Sequence, residues 1–197
     1  MLIAVERLLL RLRQPPSRAD ELLALRRRVR AERAVVPGAE EREAAFAIRA
    51  LKLQVAEQLL GVTSCHTCST GKPWPRGAYA GGDCCGGVTT DVFDDGEVAA
   101  LAQAGTRPTD LNAPRGEHPG CAFRGPQGCT LATEHRPGIC LHYVCGVLRQ
   151  ELGDRGDLEM VDASLAALDG AMQRFLALRE ERLDGELLAP LEHALST

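Results

Sequence analysis

Apolar residues recur at helical spacing along the first third of the chain. Val5, Leu8, Leu9 and Leu12 stand at +3, +4 and +7, which predicts an amphipathic helix. Pro15-Pro16-Ser17 stops that helix and opens the next. Leu22, Leu25 and Val29 make a second stripe, opposed by Arg27, Arg28 and Arg30. Pro37-Gly38 marks a turn. A third, longer helix is expected from about Glu40, with Ile48, Leu51, Val55 and Leu59 on one face. Gly61 is placed to end it as a C′ residue.

Periodicity fades between residues 62 and 150. Ser69 to Asp83 reads as a polar loop carrying Trp74 and Tyr79. Asp94-Asp95-Gly96-Glu97 has capping-box spacing ahead of Val98, Leu101 and Ala102, so a short helix is expected over 95–104. Residues 105–120 read as irregular. Glycine and proline at turn positions between Cys121 and Leu131 predict a small hairpin. Pro137 suits the first turn of a helix carrying Cys140, Tyr143 and Cys145. Helical patterning returns over 151–197, where Leu165, Leu168, Met172, Phe175 and Leu176 form a core stripe and a last helix is expected from near Gly185. The expected fold is mainly α. One domain, 1–197, would consist of an N-terminal helical arm (1–61), a loop-rich cysteine-bearing middle (62–150) with at most a small β-hairpin, and a C-terminal helical arm (151–197).

Composition narrows this picture. Aromatics make up only 4% of residues, so the core must be built from Leu, Ala and Val, which favours packed helices. The net charge of −4 argues against a nucleic-acid partner. Residues 1–33 carry nine Arg against four Asp and Glu; that basic arm is read first as a solvated helix face, with docking to an acidic protein or peptide as the alternative. No stretch has the length of a bilayer span and none reads as a secretory leader, so the expected location is cytoplasmic, where thiols stay reduced.

The chemistry is concentrated in the middle. All eight cysteines fall between Cys65 and Cys145: Cys65-His66-Thr67-Cys68, the vicinal Cys84-Cys85, then Cys121, Cys129, Cys140 and Cys145. A Cys-x-x-Cys turn holds two sulfurs close enough to share a metal. Adjacent Cα atoms lie about 3.8 Å apart, too close for a relaxed disulfide, so Cys84 and Cys85 read as free thiolates. Glycines 81, 82, 86 and 87 around them leave amides free to donate to sulfur. Cys140, three residues after Pro137, is expected near a helix N-terminus with a lowered thiol pKa. Cys145, five residues on, would lie well round the same helix and reads as a core thiol or an eighth ligand. His66 and His135 are the histidines best placed to add nitrogen ligation, ahead of His118 and His142.

Taken together, Cys65-x-x-Cys68, Cys84-Cys85, Cys121 with Cys129, and Arg136-Pro137-Gly138-Ile139-Cys140-Leu141-His142-Tyr143 resemble the YkgJ-type cysteine-cluster family, described as zinc- or iron-chelating. The resemblance spans about residues 65–145. Fifteen residues separate Cys68 from Cys84 where that family usually has two, and Leu141 replaces a frequently basic residue. It implies a metal centre drawn from these eight cysteines, and some of its members are associated with protein lysine N-methylation. Only one Cys-x-x-Cys knuckle is present; the other cysteines are irregularly spaced. That favours an iron–sulfur cluster, 4Fe-4S first, or iron, with zinc as the alternative. Two readings follow: a metalloprotein serving redox or protein-modification chemistry, or a non-enzymatic zinc module for protein–protein contact.

Overall fold

The computed structural model describes residues 17–64, 89–115, 121–125 and 128–195. The helix expected at Val5 to Leu12, the 69–83 loop and the cysteines at 65, 68, 84 and 85 lie outside them.

Helix α1, Arg18–Ala34, starts where the prolines end, and Ser17 caps it by accepting a hydrogen bond from the Asp20 amide. Its apolar stripe faces inward, with Leu25 and Val29 buried. Helix α2, Ala39–Gln58, follows the Pro37-Gly38 turn and buries Ala45, Ile48 and Val55. Gly61 takes the left-handed conformation, φ +79°, two residues beyond the cap Leu59. Helix α3 is the short Thr89–Val92. Helix α4, Asp95–Gln103, opens as its sequence predicts: the Asp94 carboxylate accepts from the Glu97 amide at 2.8 Å. Glu97 does not reach back to close the box; its carboxylate is used elsewhere.

Two two-residue strands, β1 (Arg124–Gly125) and β2 (Gly128–Cys129), pair antiparallel with Arg124 opposite Cys129. A 3₁₀ turn, Thr133–His135, leads to helix α5, Ile139–His142. Here the structure departs from expectation. The helix begun after Pro137 stops at Tyr143 (φ −76°, ψ 79°), and Cys145 becomes the N-cap of a new helix α6, Gly146–Arg155. Cys140 and Cys145 therefore share no helix. Helix α6 ends at Gly156, left-handed at φ +78°. Helix α7 then runs as one element from Leu158 to Leu195, 38 residues, about 57 Å at 1.5 Å per residue. No new helix starts at Gly185. A single exposed glycine costs a helix about 1 kcal/mol, too little to interrupt so long an element.

The molecule is thus mainly α, its N- and C-terminal helices framing the cysteine-bearing middle. α2 against α7 is the most extensive helix pairing, and α1 against α4 the next. The larger core joins Ile48 and Val55 of α2, Ala99 and Ala100 of α4, Leu148 and Leu152 of α6, and Leu165, Leu168 and Phe175 of α7. The smaller joins Leu25 and Val29 of α1, Val98 and Leu101 of α4, and Phe93, Leu111, Phe123 and Leu131. Phe93 and Phe123 meet at a tilted 5.5 Å. Helix α4 serves both cores, so it is buried nearly all round. Among the described residues no helix is long and apolar enough to cross a membrane.

Candidate metal centre

Three of the described thiols come from three segments. Cys121 precedes the hairpin, Cys129 closes β2, and Cys140 is the second residue of α5. Cys121 and Cys129 pack on the edge of the smaller core. Burial pushes the Cys121 thiol up, and the neighbouring Cys129 adds to it. Burial also drives Cys140, held up further by Cys129, Cys121 and Glu97 in that order, to about 12. Arg136 opposes this shift and does not overcome it. The lowered thiol pKa expected of Cys140 is therefore overturned. A four-residue helix offers little dipole, and desolvation beside other sulfurs outweighs it. Although part of Cys140 remains exposed, its thiol is shielded enough to feel these neighbours.

Polar clamps fix each of these segments. Thr89 donates to Glu21 of α1 and accepts from the Ala122 amide at 2.8 Å, which pins the residue after Cys121. Arg18 of α1, buried, donates to the Arg124 and Pro114 carbonyls at 3.0 Å each and ties the hairpin to the frame. Ahead of Cys140 the clamp is ionic. Lys52 of α2, fully buried, donates from Nζ to Glu97 Oε2 at 3.2 Å and to the Arg136 carbonyl at 2.8 Å. Glu97 Oε1 accepts from the Gly138 amide at 2.5 Å. A Cβ at Gly138 would stand 2.7 Å from Glu97 Oε1, so any larger residue there would have to displace that carboxylate. Burial pushes the Lys52 ammonium below its ordinary value, while Glu97 and then Cys140 pull it back in part. Lys52 thus lies in the field of Cys140.

The other candidates divide. Cys145 packs against the larger core, as a structural thiol would. His135 Nδ1 lies 3.0 Å from the Thr106 hydroxyl. His142 has both ring nitrogens engaged, Nδ1 with the Gly138 carbonyl at 2.9 Å and Nε2 with Asp169 at 2.9 Å and the Leu165 carbonyl at 3.2 Å. It holds α5 to α7. A cleft of about 230 Å³, lined by Glu97, Ile139, His142, Leu168, Asp169 and Met172, opens beside α5.

Cys121, Cys129, Cys140 and Cys145 are free thiols. Among the described residues no three His, Cys, Asp or Glu side chains are grouped closely enough to hold a metal ion by themselves. Burial and neighbouring sulfurs disfavour the thiolates of Cys121 and Cys140, a cost that a bound cation would relieve; Cys65, Cys68, Cys84 and Cys85 lie outside the described residues.

Lys52 and Glu97 were not singled out from the sequence as site residues. One signal pointed to Lys52: it stands four after Ile48 and three before Val55, a charge on the apolar face of α2. Glu97 was disguised as a helix cap. Comparison with protein-family models, with curated proteins and with solved structures found no match to this chain.

Proposed function

We propose that the chain is a metal-binding cysteine-cluster protein, similar to the YkgJ-type family, holding an iron–sulfur cluster or iron or zinc ions for redox or protein-modification chemistry. What supports this reading is a set of free thiols from separate segments: Cys121 and Cys129 pack on the edge of one core, and Cys140, also free, stands on α5. Lys52 and Arg136 beside them add positive charge that offsets a thiolate-bound centre. When bound, an iron–sulfur cluster would supply one-electron transfer; this chain's residues would hold it and set its electrostatic surroundings.

A second reading is favoured by the packing of Cys121 and Cys129. Both border the hairpin and rest on the smaller core, so a zinc ion there would staple that corner without doing chemistry. Anaerobic purification with elemental analysis separates the two. Iron with absorbance near about 400 nm supports the cluster, whereas a colourless zinc protein supports the module. Absence of any bound metal, with unchanged content in Cys129→Ser and Cys140→Ser variants, would overturn both.

A further inference from the structure

We infer that the free end of α7, residues 183–189, is a docking face for the basic N-terminal segment of this chain, residues 1–13. Every residue from 183 to 189 is exposed, whereas Phe175, two turns earlier, is fully buried. Leu176, Leu183 and Leu187 stand at +7 and +11 and share one face of the helix. Leu187 is 72% exposed, so an apolar stripe continues past the point where the fold stops covering it. The stretch is also poorly suited to stand alone. Gly185 lies inside the helix, and Pro190 brings no amide to its hydrogen-bond ladder. A covering partner would offset both weaknesses.

Charge says what kind of partner. Between 180 and 189 stand four acids, Glu180, Glu181, Asp184 and Glu186, against Arg182 alone, a net of −3. Arg182 is already turned to Glu41 and Glu186. A second α7 end laid on this face would set acid against acid, which opposes association. Residues 1–13 offer the complement. Val5, Leu8, Leu9 and Leu12 have the spacing of one helix face, and Arg7, Arg11 and Arg13 against Glu6 leave a net of +2. This segment lies outside the described residues and enters by its sequence alone. Leucine stripe would meet leucine stripe, with basic residues opposite Glu180 and Asp184, which border Leu183. Only residues 14–16 tether the segment to Ser17, the cap of α1. That short tether limits its reach on its own copy; a second copy sets no such limit.

The test follows amide exchange of 183–189 by mass spectrometry in the full-length chain, alongside its sedimentation mass. Burial of one leucine is worth about tenfold or more. Arg7→Glu with Arg11→Glu should speed exchange there by at least that factor, as should Glu180→Arg with Asp184→Arg. Salt at about 1 M should do so in part. Combining all four changes restores opposite signs across the contact and should restore protection. The thermal midpoint, set by the two cores, should stay nearly constant throughout, which separates undocking from unfolding. A mass of two chains that halves on dilution together with the protection assigns the segment to a second copy. A mass of one chain with dilution-independent protection assigns it to the same copy, and either result supports the docking. Equal exchange in wild type and both reversed variants would overturn it, as would loss in each reversal without recovery in the combination. A dimer that keeps its protection after the Arg7 and Arg11 reversal would mean that α7 ends pair with each other, which also overturns it.

Discussion

Two buried carboxylates in this molecule meet a cation from another helix, with opposite consequences. Glu41 of α2 accepts from Arg182 of α7 at 2.7 Å and from Gln103 of α4 at 2.6 Å. Burial pushes its carboxyl up, but the bonds from Arg182 and Gln103 outweigh burial and leave it below its ordinary value. Arg182 is raised in turn, chiefly by its bond to Glu41. Each partner favours the charged form of the other, and the pair pins three helices. The Lys52–Glu97 pair lies deeper, and burial wins there: the ammonium stays below its ordinary value despite Glu97 and Cys140. An arginine fork on a carboxylate is a fastening; a fully buried lysine is a burden on the fold. If the proposed metal centre forms, the nearness of Lys52 to Cys140 would give a reason to keep it.

The largest expected effect tests that burden. Lys52→Ala leaves Glu97 charged, buried and without its cation, and should destabilise the protein by about 3–5 kcal/mol in urea unfolding. The double variant Lys52→Met with Glu97→Gln keeps an acceptor for the Gly138 amide and removes both charges. Its stability should return to within about 1–2 kcal/mol of wild type, while metal content falls. A double variant with both stability and metal content intact would deny the pair any role at the centre.

Arg182→Ala should cost less, about 2 kcal/mol, because Glu41 keeps both Gln103 as a partner and the favourable charge of Arg179. Thermal unfolding reads this, and Arg182→Lys should recover only part of it, since the fork geometry is lost. A loss as large as that of Lys52→Ala would erase the distinction between the two pairs.

Acid sharpens the contrast with a smaller effect. Glu41 has a folded pKa below its ordinary 4.5, so the unfolded chain binds its proton first as pH falls. Its contribution is fully present above pH 4.5 and is lost progressively as pH drops through the depressed folded value. Glu41→Gln should be less stable than wild type at neutral pH and show a shallower acid limb in urea unfolding from pH 6 to 3. Parallel limbs would place the acid sensitivity elsewhere.

The contrast also marks what the sequence could tell. Local signals were legible: Pro15-Pro16-Ser17 opened α1, Asp94 capped α4, and the apolar stripes of α1, α2 and α7 faced the cores, except Leu176 of α7, which is exposed. The grouping of cysteines was visible as a count along the chain. Long-range partnership was not. Glu97 satisfied a helix-cap pattern yet turns to Lys52 and Gly138, and Glu151, which no motif singled out, accepts from the Thr63 and Ser64 amides. The break at Tyr143 also escaped pattern reading, because Pro137 predicts where a helix begins and says nothing of where it stops. Propensity and capping act within a few residues; the bonds of Glu97 to Gly138 and of Glu151 to Thr63 and Ser64 join positions 41 and 87–88 residues apart.

The smallest prediction uses the outer pair as a boundary along α7. Up to Arg182 this helix is fastened, with Phe175 buried and Arg179 paired to Glu32 at 2.8 Å. Beyond it Leu183, Leu187 and Leu188 are exposed, so the helix there gains little from the rest of the fold. Gly170 lies on the fastened side and Gly185 on the other, and an added Cβ meets nothing within 4 Å at either. Alanine in place of glycine favours a helix by about 0.8–1 kcal/mol. Gly170→Ala should deliver roughly that gain to global unfolding, because that stretch melts with the cores. Gly185→Ala should raise helical circular dichroism and slow local amide exchange while leaving the global midpoint nearly unchanged. Equal gains in the midpoint would mean that cooperativity extends through the exposed half, and that Arg182 and Glu41 fasten a helix already held along its length.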